Sequence, residues 1–412
     1  MQRFQKCKNI KVLKMKLIER NIYLDRIKSK KGSPDIKIIT GIRRAGKSKL
    51  LLSYMDYLRK IDDKANIIFI DFRLLNTEPL KEYHALNNYI EAQYICGRNN
   101  YICIDEIQMC EHFELAINSL HATEKYDIYL TGSNAFMLSS DLATLFTGRY
   151  IEIQVFPFSF NEYRKYFGED DNIQRQFDNY VIEGGLAGSY LYEKAEDKTT
   201  YIRDVYNTIL QRDLVEKYNL PDNRVLTRLV EYMMDNVSNI SSPNSISENL
   251  TKNGISTNHV TISAYLEYLA KSFVLYKIDR YDIRGKKYLQ SLNKFYLADT
   301  GIRFAVLGHR NMDWGRMYEN IVCLEFLRRG YEIYVGKLYQ KEIDFVAIKG
   351  SEKLYVQVSD DISNDETFMR EYSPLLQIRD AYPKMIIART RNPRYDYQGI
   401  EIVDLAEWLV DI

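Results

Sequence analysis

Residues 41–48 of this 412-residue chain read Gly-Ile-Arg-Arg-Ala-Gly-Lys-Ser, which matches the pattern G-x-x-x-x-G-K-[ST]. The β-branched run Ile36–Thr40 before it predicts a buried strand. Residues 49–55 after it are apolar on one face and predict a helix. Glycine lets successive backbone N–H groups turn toward phosphate oxygens, and the start of a helix adds its dipole. This context favours a nucleotide phosphate-binding loop over a chance turn.

The end of the loop carries the side chains that a bound nucleotide needs. Lys47 would reach the β- and γ-phosphates of ATP, and the Ser48 hydroxyl would bind Mg²⁺. The sequence therefore predicts ATP and Mg²⁺ as ligands. The predicted nucleotide contacts are Gly41, Ile42, Arg43, Arg44, Ala45, Gly46, Lys47, Ser48 and Lys49.

Two adjacent carboxylates end another predicted strand. The apolar run 101–104 leads directly into Asp105 and Glu106. At the end of a parallel strand Asp105 would lie beside the phosphate loop and hold Mg²⁺ through water. Glu106 would orient the attacking water or take its proton. The alternative is a solvated turn, but the position downstream of a phosphate loop favours the catalytic pair.

Two further residues are candidates for contact with the γ-phosphate. Asn134 follows the predicted strand 127–131, where it either senses the phosphate or caps the next helix. Arg149 follows a glycine at the start of another predicted strand. Arg149 is either a charge-stabilising residue of the catalytic site or a plain surface arginine.

The composition excludes several classes of protein. Lysine and arginine total 57 against 56 acidic residues, so any basic surface must be local. The five cysteines are scattered without a C-x-x-C pair, which indicates a reduced, cytoplasmic protein without structural zinc. No apolar run approaches the length of a membrane span. Residues 9–28 predict a basic amphipathic helix that packs on the nucleotide-binding core rather than on a membrane.

Five segments of the chain carry a family resemblance. They are GIRRAGKS at 41–48, YICIDEIQ at 101–108, LTGSN at 130–134, LFTGRY at 145–150 and VFPFSFNEY at 155–163. In this order the chain resembles the prokaryotic AAA-type ATPases that carry a C-terminal endonuclease-like domain. The one small departure is Ala45, where serine is usual. The resemblance implies an ATP- and Mg²⁺-dependent core, and it implies that Arg149 is an arginine finger acting in its own subunit or in a neighbour's.

Residues 221–300 predict three helices and a hairpin, the outline of a DNA-reading winged helix. The segment from Lys271 to Lys294, around the hairpin, contains seven basic residues but only two acidic ones, Asp279 and Asp282. This local excess of positive charge is enough to contact phosphates. The basic residues are Lys271, Lys277, Arg280, Arg284, Lys286, Lys287 and Lys294. Asn258 and His259 either face bases or cap the third helix. The module is therefore a double-stranded DNA contact, a protein-docking surface or a packing unit.

The last third of the chain resembles the PD-(D/E)xK nuclease fold. That pattern joins a helix glutamate, a strand aspartate and a strand with an acid two residues before a lysine, around a divalent metal. Glu319 and Asp344 match, but Gln357 stands where the second strand's acid belongs and Ser359 where its lysine belongs. Glutamine is a poor ligand for a hard dication. A vestigial site at Glu319, Asp344 and Gln357 that no longer cleaves is therefore expected.

The sequence predicts an α/β protein. A P-loop AAA-type parallel sheet with helices on both faces is followed by a winged helix and a PD-(D/E)xK-like α/β domain. The predicted divisions are 1–34 (helix and linker), 35–160 (ATPase core), 161–220 (helical lid), 221–300 (winged helix) and 301–412 (endonuclease-like domain). The expected function is an ATP-hydrolysing switch coupled to double-stranded DNA or to a protein partner, either as a single chain or as an oligomer. The alternatives are an ATP-regulated nuclease and a nucleotide-binding scaffold that does not hydrolyse ATP.

Overall fold

The computed structural model describes residues 17–132, 145–146, 148–221, 223–310 and 312–411. Its N-terminal part is a parallel sheet with the strand order β2-β3-β4-β1-β5. The strands are β1 (Ile36–Thr40), β2 (Asn66–Asp71), β3 (Asn100–Asp105), β4 (Asp127–Thr131) and β5 (Tyr150–Gln154). The bounds predicted for β1 and β4 are confirmed, because their apolar, β-branched runs suit strands that are buried on both faces of a sheet.

Helices cover both faces of this sheet. They are α1 (Asn21–Lys28), α2 (Lys47–Ile61), α3 (Tyr83–Ala92) and α4 (Phe113–Ala122). One core lies under α1 and α2, and the other lies under α3 and α4. The prediction that an N-terminal helix packs on this core is confirmed for α1, where Tyr23 and Ile27 are fully buried. Residues 1–16 lie outside the described residues.

A helical lid follows the sheet. It contains α5 (Phe160–Phe167), α6 (Ile173–Glu183) and α7 (Ala195–Thr208), and α7 continues into a π-helical segment at Ile209–Glu216. π-Helical turns are frequent at functional sites, and this segment carries the buried Asp213 to the phosphate loop.

The predicted three helices and hairpin are present at 223–297. They are α8 (Asn223–Asp235), α9 (Pro243–Lys252), α10 (His259–Lys271), β6 (Leu275–Asp282) and β7 (Lys287–Leu297). The hairpin does not stand apart as a wing, because β6 also pairs in parallel with β8 (Glu332–Leu338) of the C-terminal sheet. The predicted division at residue 300 therefore falls between elements that share one sheet.

The C-terminal sheet has the order β12-β13-β11-β10-β9-β8-β6-β7. Its further strands are β8 (Glu332–Leu338), β9 (Lys341–Lys349), β10 (Glu352–Ser359), β11 (Lys384–Ala388), β12 (Tyr395–Tyr397) and β13 (Ile400–Asp404). Its helices are α11 (Thr300–Leu307), α12 (Trp314–Arg329), α13 (Asp365–Leu376) and α14 (Leu405–Val410). The apolar core under α1 and α2 continues through the lid into this sheet. Nucleotide-binding and C-terminal parts are thus joined by shared packing.

Candidate nucleotide site

The phosphate loop requires glycine at two positions. Gly41 has φ +134°, and a Cβ there would stand 2.0 Å from the carbonyl oxygen of Val155. Gly46 has φ +99° and begins α2. Only glycine adopts such angles without strain. The side chains of Ile42 and Ala45 point into the core, so these residues offer a nucleotide only their backbone.

Lys47 is buried at the base of the loop. Its ammonium donates to the carbonyl oxygens of Gly41 at 2.7 Å and Ile42 at 3.2 Å. Burial lowers the pKa of Lys47 to about 8, and the nearby Glu106 carboxylate opposes this shift. The ammonium is thus held by weak neutral acceptors at the place where the motif expects phosphate oxygens.

Ser48 and Asp105 meet across the loop as predicted. The Ser48 hydroxyl donates to Asp105 Oδ1 at 3.0 Å, and the Thr131 hydroxyl from β4 donates to the same oxygen. Burial raises the pKa of Asp105 above its usual range. The meeting follows from topology, because β4 lies between β1 and β3 and all three strands end at one edge.

These residues fit Mg²⁺. A hard dication takes hydroxyl and carboxylate oxygens. Asp105 Oδ2 is buried and accepts no hydrogen bond from the described residues. The Arg73 guanidinium lies 2.6 Å from it as an ion pair, without the directionality of a hydrogen bond. A buried carboxylate oxygen whose counter-charge is a half-exposed arginine is suited to a metal ion.

Glu106 is held in an unusual backbone conformation beside this pair. Its φ is +57°, in the left-handed region that few residues other than glycine occupy. Its N–H donates to the Thr131 hydroxyl at 3.2 Å, and the Gln108 amide donates to its carboxylate. Backbone strain of this kind concentrates at functional sites, where it fixes a side chain. Glu106 lines the same cleft as Lys47 and Ser48, as the sequence predicts.

Two charged residues at the site were missed by the sequence reasoning. Arg73 forms ion pairs with Asp71 and Asp105, each at 2.6 Å. Asp213 accepts two hydrogen bonds from the Arg43 guanidinium, at 2.6 Å and 3.0 Å. The position of Arg73 two residues after β2 was a usable signal, because β2 and its parallel neighbour β3 end at the same edge of the sheet. The pairing of Arg43 with Asp213, 170 positions apart, had no local signal.

Arg20 supports the loop from behind. Its guanidinium donates to the carbonyl oxygens of Ala45 at 2.7 Å and Phe156 at 2.9 Å, and to the Glu162 carboxylate at 2.7 Å and 2.9 Å. The N-terminal segment thereby joins the cleft, which has a volume of about 1140 Å³. Apolar side chains from that segment and from the lid line it, among them Leu17, Ile18, Leu24, Leu191 and Tyr192. The cleft has room for a nucleoside beside the phosphate loop.

The remaining predicted residues have different outcomes. Arg44 on the loop and Lys49 in the first turn of α2 are exposed and line the cleft. Asn134 lies outside the described residues. Arg149 is exposed and lies at the wrong end of the sheet for its own loop. Its neighbour Tyr150 pairs with the first residue of β1, whereas the loop follows the last. Five strand residues separate the two ends, about 16 Å, so Arg149 does not act on the phosphate loop of its own chain in this structure.

The predicted DNA-facing residues are only partly free. Asn258 caps α10 by accepting from the N–H of Thr261 at 3.0 Å, and His259 is exposed. The prediction that Lys294 contacts DNA is wrong, because Lys294 is buried among carboxylates and cannot meet a phosphate backbone. Arg284, Lys286 and Lys287 stay exposed at the tip of the hairpin.

Glu319 and Asp344 do meet in the C-terminal part, but around Lys294 rather than around a free cavity. Gln357 donates to the Glu371 carboxylate and accepts from the N–H of Asp344. Burial, together with the Glu319 charge, raises the pKa of Asp344 well above its usual range. Within the described ranges no group of three or more metal-binding side chains is placed to hold a metal ion. The residues present therefore do not fit a catalytic metal.

No helix in the described part of the chain combines the length and apolar character needed to cross a membrane.

The model of an AAA domain matches residues 33–164, and the model of a domain of unknown function, DUF8612, matches residues 174–313. The first range contains the phosphate loop and the whole parallel sheet. The second contains most of the lid, the three helices and the hairpin.

Full-length relatives and a solved structure are similar to this chain. An uncharacterized protein of Haemophilus influenzae is 35% identical over 399 residues, which cover 96% of this chain and 99% of the relative. An uncharacterized protein of Methanocaldococcus jannaschii is 26% identical over 97% of this chain and 90% of its own length. A Walker-type ATPase of Pyrococcus abyssi superposes on 70% of this chain and 95% of its own, with a TM-score of 0.46 and 16% identity. The chain belongs to the family of the Haemophilus influenzae protein and carries an AAA-type ATPase domain at its N-terminal end.

Proposed function

We propose that this protein is a Mg²⁺-dependent ATPase that works as a nucleotide-driven switch. One observation carries the proposal. Lys47 and Ser48, which follow β1, and Asp105 and Glu106, which end β3, converge in one cleft at the same edge of the sheet. Lys47 supplies a positive charge for the phosphates, and Ser48 and Asp105 supply a hydroxyl and a carboxylate for the metal ion. Glu106 supplies a general base.

Each residue has a task that its position supports. Lys47 would exchange two neutral carbonyl acceptors for phosphate oxygens, a stronger charge-assisted contact. Ser48 and Asp105 would hold Mg²⁺, which when bound neutralises charge on the phosphates. Glu106, fixed by its backbone and by Gln108, would orient water and accept its proton.

The output of the switch would run through the lid. Arg43 of the phosphate loop is paired with Asp213 of the π-helical segment, so an arriving triphosphate competes for the arginine. The lid in turn contacts the C-terminal part, where the Arg203 guanidinium donates to the carbonyl oxygen of Ala305 at 2.7 Å. The exposed Arg284, Lys286 and Lys287 at the hairpin tip make double-stranded DNA or an acidic protein the target of the switch.

The test is phosphate release from ATP by the full chain, with and without double-stranded DNA. Lys47→Ala should abolish release. Glu106→Gln should abolish release while nucleotide binding persists. Stimulation by DNA that is lost on changing Lys286 and Lys287 to glutamine would assign the hairpin to DNA. A rate of phosphate release that does not change when DNA is added would assign the hairpin to a protein partner.

The alternative of a scaffold that binds ATP without hydrolysing it makes an opposite prediction, since Glu106→Gln would then change nothing. A role for Arg149 requires a neighbouring copy of the chain. Arg149→Ala should therefore lower phosphate release only if the wild-type rate per chain rises with protein concentration.

A further inference from the structure

An ammonium ion stands at the centre of the C-terminal carboxylates. The Lys294 Nζ atom lies 2.9 Å from a carboxylate oxygen of Glu319, 2.6 Å from Glu342 and 3.8 Å from Asp344. Glu319 comes from α12, and Glu342 and Asp344 come from β9. The lysine comes from the edge strand β7. The Lys294 side chain is 4% exposed.

The surrounding groups complete the cluster without a free ligand. The Tyr296 hydroxyl donates to Glu319 at 2.6 Å, and the N–H of Val358 donates to Asp344 at 2.8 Å. Gln357 stands where a nuclease would have its second strand acid, and its amide nitrogen donates to Glu371 at 2.9 Å. The amide nitrogen offers no lone pair to a metal ion, and the amide oxygen of Gln357 already accepts from the N–H of Asp344 at 2.7 Å.

The distances leave no room for a second cation. A magnesium ion needs oxygen ligands at about 2.1 Å and a manganese ion requires a similar shell, so either ion would have to take the position of the ammonium itself. The ammonium lies at hydrogen-bond distance from Glu319 and Glu342, and its charge lies 3.8 Å from Asp344 as an ion pair. The lysine is thus an internal cation where the nuclease pattern needs an external one.

From this arrangement we infer that Lys294 permanently replaces the divalent metal, so that the C-terminal domain is a metal-free unit that does not cleave nucleic acid. The cluster instead fastens β7 to α12 and β9, and thereby fixes the hairpin on the C-terminal sheet. Three carboxylates stay behind if the ammonium is removed. Loss of this one side-chain charge should then create a divalent-cation site.

The experiment measures Mn²⁺ binding to the nucleotide-free full chain by electron paramagnetic resonance, with thermal unfolding as a second readout. The variants are Lys294→Met, which keeps the length of the side chain without its charge, and Lys277→Met as a matched control on β6, whose lysine pairs with Asp279 in solvent. We expect Lys294→Met to bind one more Mn²⁺ per chain than wild type or the control. The extra site should disappear in Lys294→Met combined with Asp344→Asn. Mn²⁺ should raise the unfolding temperature of Lys294→Met but not that of the other proteins.

Two results of the Mn²⁺ measurement would overturn the inference. One is a Lys294→Met protein that folds and gains no Mn²⁺ site. The other is a wild-type Mn²⁺ site that Glu319→Gln removes, because the ammonium would then not exclude the metal. The wild-type measurement decides the question even if Lys294→Met fails to fold. Nicking of plasmid DNA with Mn²⁺ by wild type, lost in Asp344→Ala, would equally refute it.

Discussion

The pair of Arg43 and Asp213 makes a testable link between the phosphate loop and the lid. Asp213 is 6% exposed and accepts both hydrogen bonds of a forked guanidinium, while Arg43 is 23% exposed. Breaking a buried pair by removing one partner costs about 3–5 kcal/mol, and the partial exposure of the arginine reduces the value here to about 2 kcal/mol. Asp213→Asn keeps one neutral hydrogen bond worth about 0.5–1 kcal/mol. The net loss in the nucleotide-free protein is therefore about 1–1.5 kcal/mol.

A bound triphosphate should remove most of this loss. The phosphates bring negative charge to the loop and replace Asp213 as the partner of Arg43. The nucleotide-free state is then destabilised more than the bound state, and Asp213→Asn should bind a non-hydrolysable ATP analogue about tenfold more tightly than wild type.

The assay is equilibrium titration with a fluorescent, non-hydrolysable ATP analogue. The matched control is Asp204→Asn on α7, which removes the same charge from an exposed position of the lid. It should leave the dissociation constant unchanged, and Arg43→Gln should weaken binding. Unchanged or weaker binding by Asp213→Asn would refute the competition between carboxylate and phosphate.

Three further results follow from the same structure. The pKa of Lys47, lowered to about 8 by burial, means that the folded lysine loses its proton before the unfolded one does, so its burial costs stability up to pH 8 and this cost fades by about pH 10.5. Phosphate binding should recharge the lysine with an uptake of about 0.75 proton at pH 8.5 and about 0.1 at pH 7. Calorimetry in buffers of different ionisation enthalpy measures this proton uptake. Equal uptake at pH 8.5 and at pH 7 would contradict the lowered pKa of Lys47. Arg73→Gln should lower the Mg²⁺ concentration for half-maximal ATP binding about two- to fivefold, since its half-exposed ion pair is worth about 0.5–1 kcal/mol, whereas Arg59→Gln should not. A higher Mg²⁺ requirement would show that Arg73 contacts the nucleotide. Gly41→Ala should lower the free energy of unfolding by about 3 kcal/mol in urea, because the added Cβ lies 2.0 Å from a backbone oxygen. Gly350→Ala, also at positive φ but with no atom within 4 Å, should cost about 1 kcal/mol, and equal losses would discount the close contact.

The parts of the site that the sequence predicts correctly are those set by local pattern. Lys47 and Asp105 each adjoin an apolar strand, and parallel strands bring their carboxyl ends to one edge. Strand and motif together were therefore enough to place them near each other. The Asn258 cap is local in the same sense, since its acceptor and its donor are three residues apart.

The residues that sequence reasoning missed or misplaced depend on contacts between distant segments. Asp213 appears in the sequence only as a polar position of an amphipathic helix. Lys294 is one of seven basic residues near a hairpin, and nothing local distinguishes it from Lys286. The parallel pairing of β6 with β8 makes the difference, because it lays β7 beside the acids of β9 and α12. Register between strands some 50 residues apart is decided by packing, which local periodicity does not encode.

Exposure distinguishes the two places where a basic side chain occupies a cation position. Arg73 lies on the Asp105 carboxylate and Lys294 on the Glu319 carboxylate, at 2.6 Å and 2.9 Å. The Arg73 side chain is 50% exposed, so it can return to water for about 0–1 kcal/mol and yield its place to Mg²⁺. The Lys294 side chain is 4% exposed, and separating it from its acids would leave buried charges unpaired at a cost of several kcal/mol. We therefore expect this contact to be reversible at the phosphate loop and permanent in the C-terminal domain, and we expect cation-dependent chemistry at the first of these two places and not at the second.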